Sequence, residues 1–173
     1  MASNFSFLEK YWIELALLGE TAESYLYSDP NACIFKIGML AEQIVRGIFA
    51  YEKIELPEDT RQSNLIRVLK YRSIIPENID NILYSIRRAR NDAVHVGCES
   101  TDRARILLEM AYNLCIWYME VYGDWSFVAA EYVEPADISS KKEFTSIIES
   151  HEEKLKELLE EINRMKTDAS EKS

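Results

Sequence analysis

The sequence predicts an all-α protein, an antiparallel bundle of about five helices followed by a separate charged helix. Three observations lead to this fold class. Apolar residues recur every three or four positions through most of residues 1–125, which is helical spacing. Start and stop signals such as Asp29-Pro30 and Gly123-Asp124 divide that region into segments of helical length. Beyond residue 140, apolar residues follow a heptad pattern in a mostly charged background.

The bundle is predicted to occupy residues 1–125, and its first helix to span residues 7–27. Asn4 or Ser6 can cap this helix, because short polar side chains satisfy the free backbone N–H groups of a first turn. Gly19 lies mid-helix, where glycine lowers helix propensity. We therefore expect one long first helix with a weak centre.

The second helix begins with Asp29 as N-cap and Pro30 in the first turn, and is predicted to run to about Lys53. Its apolar residues cover a wide arc, which is typical of a central core helix. Glu42 lies among these apolar neighbours. It is either an exposed or salt-bridged acid, or a partner that orients an arginine from a later helix.

Three further helices are predicted, over residues 61–71, from Pro76 to about residue 97, and over residues 101–122. Residues 126–140 form an extended linker segment, because their aromatic and β-branched composition favours either an extended path over the bundle or a short strand.

The C-terminal helix is predicted over residues 141–166, with a disordered tail at 167–173. Its apolar positions step by four and three residues over three heptads, the lower limit for a coiled coil. Docking onto the bundle is the rival interpretation. The positions are Phe144, Ile148, His151, Leu155, Leu158, Ile162 and Met165.

Composition excludes several classes of protein. A chain of 173 residues with 47% hydrophobic and 29% charged residues is typical of a globular domain, and it has no apolar run long enough to span a membrane. The N-terminus lacks the pattern of a secretion signal, so a cytoplasmic protein is expected. Three widely spaced cysteines and two histidines predict buried free thiols, with no metal and no cofactor.

The net charge of −10 is uneven along the chain. Residues 61–105 carry 9 basic and 5 acidic side chains, a net charge of +4, and every other region is acidic. A protein that coats DNA would be basic overall. A local basic segment on an acidic body can still bind nucleic acid or an acidic partner surface, although ordinary solvated helix faces explain the charges equally well.

One stripe of the fourth predicted helix carries the clearest functional signal. At 100° per residue, Tyr84, Arg88, Asn91 and His95 share one face. The opposite, core-facing stripe is apolar and consists of Ile79, Ile82, Leu83, Ile86, Ala89 and Ala93. A structural helix has no need to align a cation, an amide and an imidazole on its outer face.

Chemically, His95 can act as a general acid or base, Arg88 can hold a phosphate, and Asn91 can orient either group. Arg88 and His95 are roughly 10 Å apart along the helix axis at 1.5 Å per residue, so a shared phosphate site favours two copies facing each other. Arg90 falls at the edge of the apolar face, where it is better placed to pair with Glu42. The alternative is a helix cap at His95 and a solvated Arg88.

The block RNDAVH at 90–95 resembles the Arg–four to six residues–His motif of the HEPN superfamily. More specifically, residues 4–125 resemble the HEPN-related domain of unknown function at the N-terminus of type I restriction R subunits and of related DEAD/DEAH helicases. The blocks that carry this resemblance are NFSFLEKYW at 4–12, AESYLYSDPNACIFKIGMLAEQIV at 22–45, RRARNDAVH at 87–95 and WYMEVYGD at 117–124. That domain usually has glycine before the asparagine, where this chain has Arg90, so its arginine matches Arg88.

The resemblance implies two different functions on an HEPN-like helical bundle. HEPN ribonucleases are dimers that cleave RNA without metal. In such an enzyme His95 would be the acid/base, Arg88 or Arg90 the phosphate clamp and Asn91 the orienting residue, with support from Glu42 and Tyr84. In restriction R subunits the domain is an accessory beside the nuclease and motor.

The leading prediction is therefore a non-catalytic accessory or assembly domain of a bacterial restriction or anti-phage defence system. It would bind partner protein or nucleic acid, as a homodimer or within a larger complex. The alternative is a dimeric, metal-independent ribonuclease. A third class is a stand-alone dimerisation module that acts through its coiled coil.

Overall fold

The computed structural model describes the backbone of residues 2–96, 100–137 and 141–171, and the side chains of these residues except 95, 96, 141–145, 147, 170 and 171. Within this part of the chain all regular structure is helical, which confirms the predicted all-α class. The helices are α1 Ile13–Tyr25, α2 Pro30–Tyr51, α3 Gln62–Tyr71, α4 Glu77–Val96, α5 Thr101–Tyr118 and α6 Lys141–Glu171. A 3₁₀ turn at Ser6–Leu8 precedes α1, and a π-helical turn at Met119–Gly123 extends α5. The chain divides into two compact units, Met1–Pro135 and Ala136–Ser173.

The centre of the first unit is α2, which packs against α1, α3, α4 and α5. Its start is the predicted one: Asp29 Oδ1 accepts a hydrogen bond from the Ala32 N–H at 3.0 Å, and Pro30 opens the first turn. The predicted role as central core helix is confirmed, because α2 buries residues along most of its length. They are Pro30, Cys33, Ile34, Ile37, Gly38, Leu40, Ala41, Ile44, Val45, Ile48 and Phe49.

The first helix differs from its prediction. Residues 6–8 form a 3₁₀ turn, and α1 begins only at Ile13, with no side-chain cap. Asn4 does not cap a helix, because its side-chain amide donates to Glu23 Oε1 at 2.5 Å and to the Val133 carbonyl at 2.8 Å. The polar residue that resembled a cap instead joins the N-terminus to α1 and to the segment after α5.

Gly19 also has a role other than the predicted one. It is buried, and the Phe5 side chain occupies the space that a side chain at position 19 would need. Glycine here permits a close approach between the N-terminal turn and α1. Loss of helix propensity at this position is therefore offset by packing.

The segment after α5 contains no strand in residues 127–137, and its part up to Pro135 lies against the bundle. Two tyrosine hydroxyls hold it: Tyr112 donates to the Ala130 carbonyl at 2.5 Å, and Tyr27 donates to the Pro135 carbonyl at 2.7 Å. Phe127 stacks on Phe7, with ring centroids 4.9 Å apart. Of the two predicted alternatives, the strand is absent from these residues.

The second unit is built on α6, a single helix of 31 residues. The helix continues through Glu171, whereas the sequence predicted disorder from residue 167. The described apolar side chains of its heptad stripe are exposed, from 40% at Ile148 to 60% at Leu155 and Met165. In the described residues, no helix combines the length and apolar character that crossing a membrane requires.

Candidate functional site

The outer face of α4 carries the side chains that the sequence singled out. Tyr84, Arg88 and Asn91 are exposed. The core-facing stripe is confirmed, because Ile79, Leu83, Ile86 and Ala89 are buried and Ile82 and Ala93 pack against the core. The predicted fourth member of the outer stripe, His95, is in α4, but its side chain lies outside the described residues.

A groove of about 470 Å³ runs between α4 and α5 beside this stripe, and Arg88 is on its wall. Across the groove, Arg103 Nη2 donates to Asp92 Oδ2 at 2.9 Å. The Ser100 hydroxyl accepts from the Arg103 N–H at 3.2 Å and caps α5, which fixes the start of that helix. The residues that line the groove are Tyr84, Ser85, Arg88, Asp92, Arg103, Ile106, Leu107 and Met110.

Arg88 has no ion-pair partner among the residues that the structure describes, in contrast to Arg90 and Arg103. Asp92 is engaged by Arg103, and the Tyr84 ring is engaged by Arg87, whose guanidinium carbon lies 5.7 Å from the ring centroid. An exposed guanidinium on the wall of a groove can bind a phosphate or a carboxylate through two parallel hydrogen bonds. The arrangement therefore makes Arg88 the available cation of the α4 stripe.

Arg90, two residues further along α4, points to the other side and is held by α2. It forms the predicted ion pair with Glu42, which is confirmed. Its guanidinium carbon also lies 5.1 Å from the centroid of the Phe35 ring, and its aliphatic stem passes over Gly38, where a side chain would block it. Phe35, Gly38 and Glu42 lie three and four residues apart on one side of α2 and form a cradle for this arginine.

This arrangement separates the two arginines that the sequence left as alternatives. Arg90 has an opposite charge and an aromatic face as partners within the chain, with 27% of its side chain exposed. Binding an external phosphate would require Arg90 to share or lose its Glu42 contact. Arg88 needs no such exchange.

The sequence reasoning missed three participants. Phe35 and Gly38 were treated as ordinary members of α2, although their spacing from Glu42 could have indicated the cradle. Arg103 was not considered, because its partner Asp92 lies on the preceding helix, and only the packing of α4 against α5 brings the pair together. The described residues contain no group of three or more His, Cys, Asp or Glu side chains arranged to hold a metal ion.

Comparison with known proteins assigns the chain to a family. Residues 20–164 match the family described as Domain of unknown function (DUF4145). The chain belongs to the DUF4145 family. The match includes the whole of α2 to α5, and therefore both the groove and the Arg90 cradle.

The chain is also similar to a named restriction protein. It is 27% identical over 134 residues to the Type I restriction enzyme EcoKI endonuclease subunit of Escherichia coli (strain K12). The alignment covers 77% of this chain but 11% of that subunit, so the chain spans a small part of its relative. The predicted resemblance to a restriction subunit is confirmed. No solved structure matches the chain at a significant level.

Proposed function

We propose that this DUF4145 chain is a non-catalytic accessory or assembly domain of a bacterial DNA restriction-modification or related anti-phage defence system. The observation that carries the proposal is its similarity to a type I restriction endonuclease subunit over most of the chain. Because the aligned region is a small part of that subunit, it fits a domain that supports other modules. The proposed localisation is the cytoplasm, where restriction enzymes act on DNA.

The α4–α5 groove is the proposed binding surface for a partner protein or nucleic acid. Arg88 supplies a guanidinium that is not neutralised within the described residues, and both arginines of the groove belong to the basic segment of an acidic chain. An acidic body repels a phosphate backbone except where cations are concentrated. Nucleic acid or an acidic protein surface would therefore meet the molecule at this groove.

Assembly would use α6. Its heptad stripe exposes Ile148, Leu155, Leu158, Ile162 and Met165 along one helix. A second copy of the chain can cover such a stripe as a coiled coil, which makes a homodimer the simplest assembly. One flanking pair, Glu161 at a g position and Lys166 at the next e position, would bring opposite charges together in a parallel pair.

A metal-independent HEPN ribonuclease is the second candidate. Arg88 and Asn91 are both exposed on the face of α4 that carries His95. In this alternative His95 is the acid/base and Arg88 the phosphate clamp, while Arg90 is a positioning residue tied to Glu42. This second candidate includes the proposal that the chain belongs to the HEPN superfamily.

One experiment tests both candidates. Labelled single-stranded RNA and duplex DNA of mixed sequence are incubated with the full chain in EDTA, and binding is followed by fluorescence anisotropy and integrity by gel electrophoresis. The variants are Arg88→Gln, His95→Ala and the control Arg72→Gln, which removes an exposed charge from the same basic segment. We expect binding without cleavage, weakened about threefold to tenfold by Arg88→Gln, unchanged by Arg72→Gln, and decreasing with salt.

Cleavage that His95→Ala abolishes would instead establish the ribonuclease. If no nucleic acid binds, or if Arg72→Gln weakens binding as much as Arg88→Gln does, the groove is not a nucleic-acid site. The groove would then be proposed as a binding site for a partner protein alone. Co-purification with a restriction subunit encoded beside the chain, and its loss in Arg88→Gln, would test that partner.

A further inference from the structure

An aromatic pocket of about 580 Å³ lies at the junction of α1, α2 and α5, away from the outer face of α4. Trp12, Tyr51 and Tyr118 form its walls and floor. Its other lining residues are Tyr11, Ile13, Glu14, Leu15, Gln43, Gly47 and Ala50. The Trp12 indole N–H donates to the Tyr51 hydroxyl at 2.9 Å, which fixes the two rings relative to each other. The pocket is therefore formed before any ligand arrives.

The three rings pack against one another at tilted or steep angles. Trp12 and Tyr118 have centroids 4.4 Å apart and are tilted by 36°. Tyr51 meets both at steep angles, 86° to Trp12 and 69° to Tyr118. Because no two of these rings face each other across a parallel gap, the pocket has no slot for a flat base. A cation that lies against one exposed ring face and reaches the polar groups of the lining fits this arrangement better.

The floor of the pocket carries an unused polar group. Tyr118 is 2% exposed, and its hydroxyl makes no hydrogen bond within the described residues. This hydroxyl occupies the space beside Gly47 where a larger residue would place its side chain, so glycine allows the hydroxyl to reach the pocket. Burial raises the pKa of Tyr118, and the nearby Tyr51 adds to the effect. The phenol is therefore neutral at pH 7 and can donate or accept a hydrogen bond.

The charge of the lining is negative. Glu14 is the ionisable acid among the lining residues, they include no lysine or arginine, and Gln43 adds an amide oxygen as acceptor. Lys10 approaches the rim, with Nζ 5.3 Å from the centroid of the Tyr11 ring. Tyr11 thus already has a cation, while Trp12 and Tyr51 are the rings left for a ligand. Ile13 lines the pocket and is 55% exposed, and Leu17, one turn further along α1, is 54% exposed.

We propose that this pocket binds the guanidinium of an arginine side chain from a partner polypeptide. A guanidinium is planar and weakly hydrated, so it can stack on Trp12 or Tyr51 while its five N–H donors reach Glu14, Gln43 and Tyr118. Ile13 and Leu17 would contact the partner around that side chain. The site is separate from the α4–α5 groove, so it can fail or succeed independently of the proposed function.

The test is an NMR titration of the ¹⁵N-labelled full chain with the peptide acetyl-Gly-Arg-Gly-amide. We expect a saturable shift of the Trp12 indole N–H resonance. The same peptide with citrulline in place of arginine keeps the planar shape but lacks the charge and two of the five N–H donors, and should bind about tenfold or more weakly. The Trp125 indole, which is 90% exposed and does not line the pocket, is the internal comparison.

A matched pair of variants then tests the charge. Glu14 and Glu20 are both exposed acids on α1, and Glu14 alone of the two lines the pocket. Glu14→Gln should weaken arginine binding about threefold or more, while Glu20→Gln should leave it unchanged. No saturable shift at Trp12, equal binding of the citrulline peptide, or equal effects of the two variants would overturn the proposal.

Discussion

The bundle and α6 have the same helical periodicity but opposite environments. In α2 the apolar stripe is buried, and Ile44 and Ile48 have no exposed surface. In α6 the corresponding stripe is about half exposed, with Leu158 at 55%. Spacing of apolar residues thus predicts that a helix forms and which side is apolar. It does not predict whether the residues that pack against the apolar side belong to the same chain.

The largest expected difference comes from shortening one apolar side chain in each region. Ile44→Ala should lower the free energy of unfolding of the bundle by about 2–4 kcal/mol, because it leaves a cavity in a closed core. Leu158→Ala should change it by less than about 0.5 kcal/mol, because no core is opened. Urea unfolding followed by tryptophan fluorescence measures this, since Trp12, Trp117 and Trp125 all lie outside α6.

The same Leu158→Ala variant also tests the role proposed for α6. If a second copy covers the stripe, sedimentation equilibrium should show weaker self-association than in the unmodified chain, while Ile44→Ala should retain it at temperatures where the bundle is folded. A Leu158→Ala variant that destabilises the bundle as strongly as Ile44→Ala would contradict the comparison.

Local signals explain how much of the fold was predictable. Asp29 and Pro30 act on the backbone of their own helix, so their effect can be read from neighbouring residues. The two faces of α4 follow from the same kind of reasoning, since Ile86 and Ala89 are buried while Arg88 is exposed. The existence and orientation of these elements required no knowledge of the rest of the molecule.

The errors arose where distant residues decide the structure. Asn4 is a residue type that often caps helices. In the folded chain its side chain instead binds Glu23 and Val133, which are distant in sequence. The break before α1 therefore could not be inferred from local propensity. At the candidate site, Glu42 was predicted to pair with Arg90, whereas Arg103 was missed because it acts from another helix on Asp92.

A smaller effect should distinguish Arg90 from Arg88, which share a helix but not an environment. Glu42→Ala removes the partner of a half-buried guanidinium and should lower the free energy of unfolding by about 1 kcal/mol. Arg88→Gln should change it by less than about 0.5 kcal/mol, because this side chain has no partner to lose among the described residues. Urea unfolding with the same tryptophan signal provides both values.

Glu42→Gln is the control for packing, because it keeps the shape of the side chain and one acceptor oxygen. Its free energy of unfolding should lie between those of the unmodified chain and Glu42→Ala. Equal stability of Glu42→Ala and the unmodified chain would show that the cradle does not hold Arg90 in solution, and both arginines would again be equivalent candidates for phosphate binding.

The smallest effect on stability is expected at Asp59, in the link between α2 and α3. Its ion pair with Arg61 belongs to the bundle but is exposed to solvent, as the charges of α6 are. Asp59 accepts hydrogen bonds from the Arg61 side chain at 2.7 and 2.9 Å, and this contact lowers the pKa of Asp59 to about 2. A lowered carboxyl pKa stabilises the fold above the unfolded-state value of about 3.9, and the stabilisation is lost as pH falls towards 2. Because the Arg61 side chain is 81% exposed, water and salt screen the pair, and Asp59→Asn should shift the thermal midpoint at pH 7 by about 1 °C or less. Thermal unfolding at pH 7 and pH 3 checks the sign, since the difference between Asp59→Asn and the unmodified chain should shrink at the lower pH. A shift of several degrees at pH 7 would mean that an exposed ion pair of the bundle contributes strongly to stability. Solvent exposure would then not explain the difference between the bundle and α6.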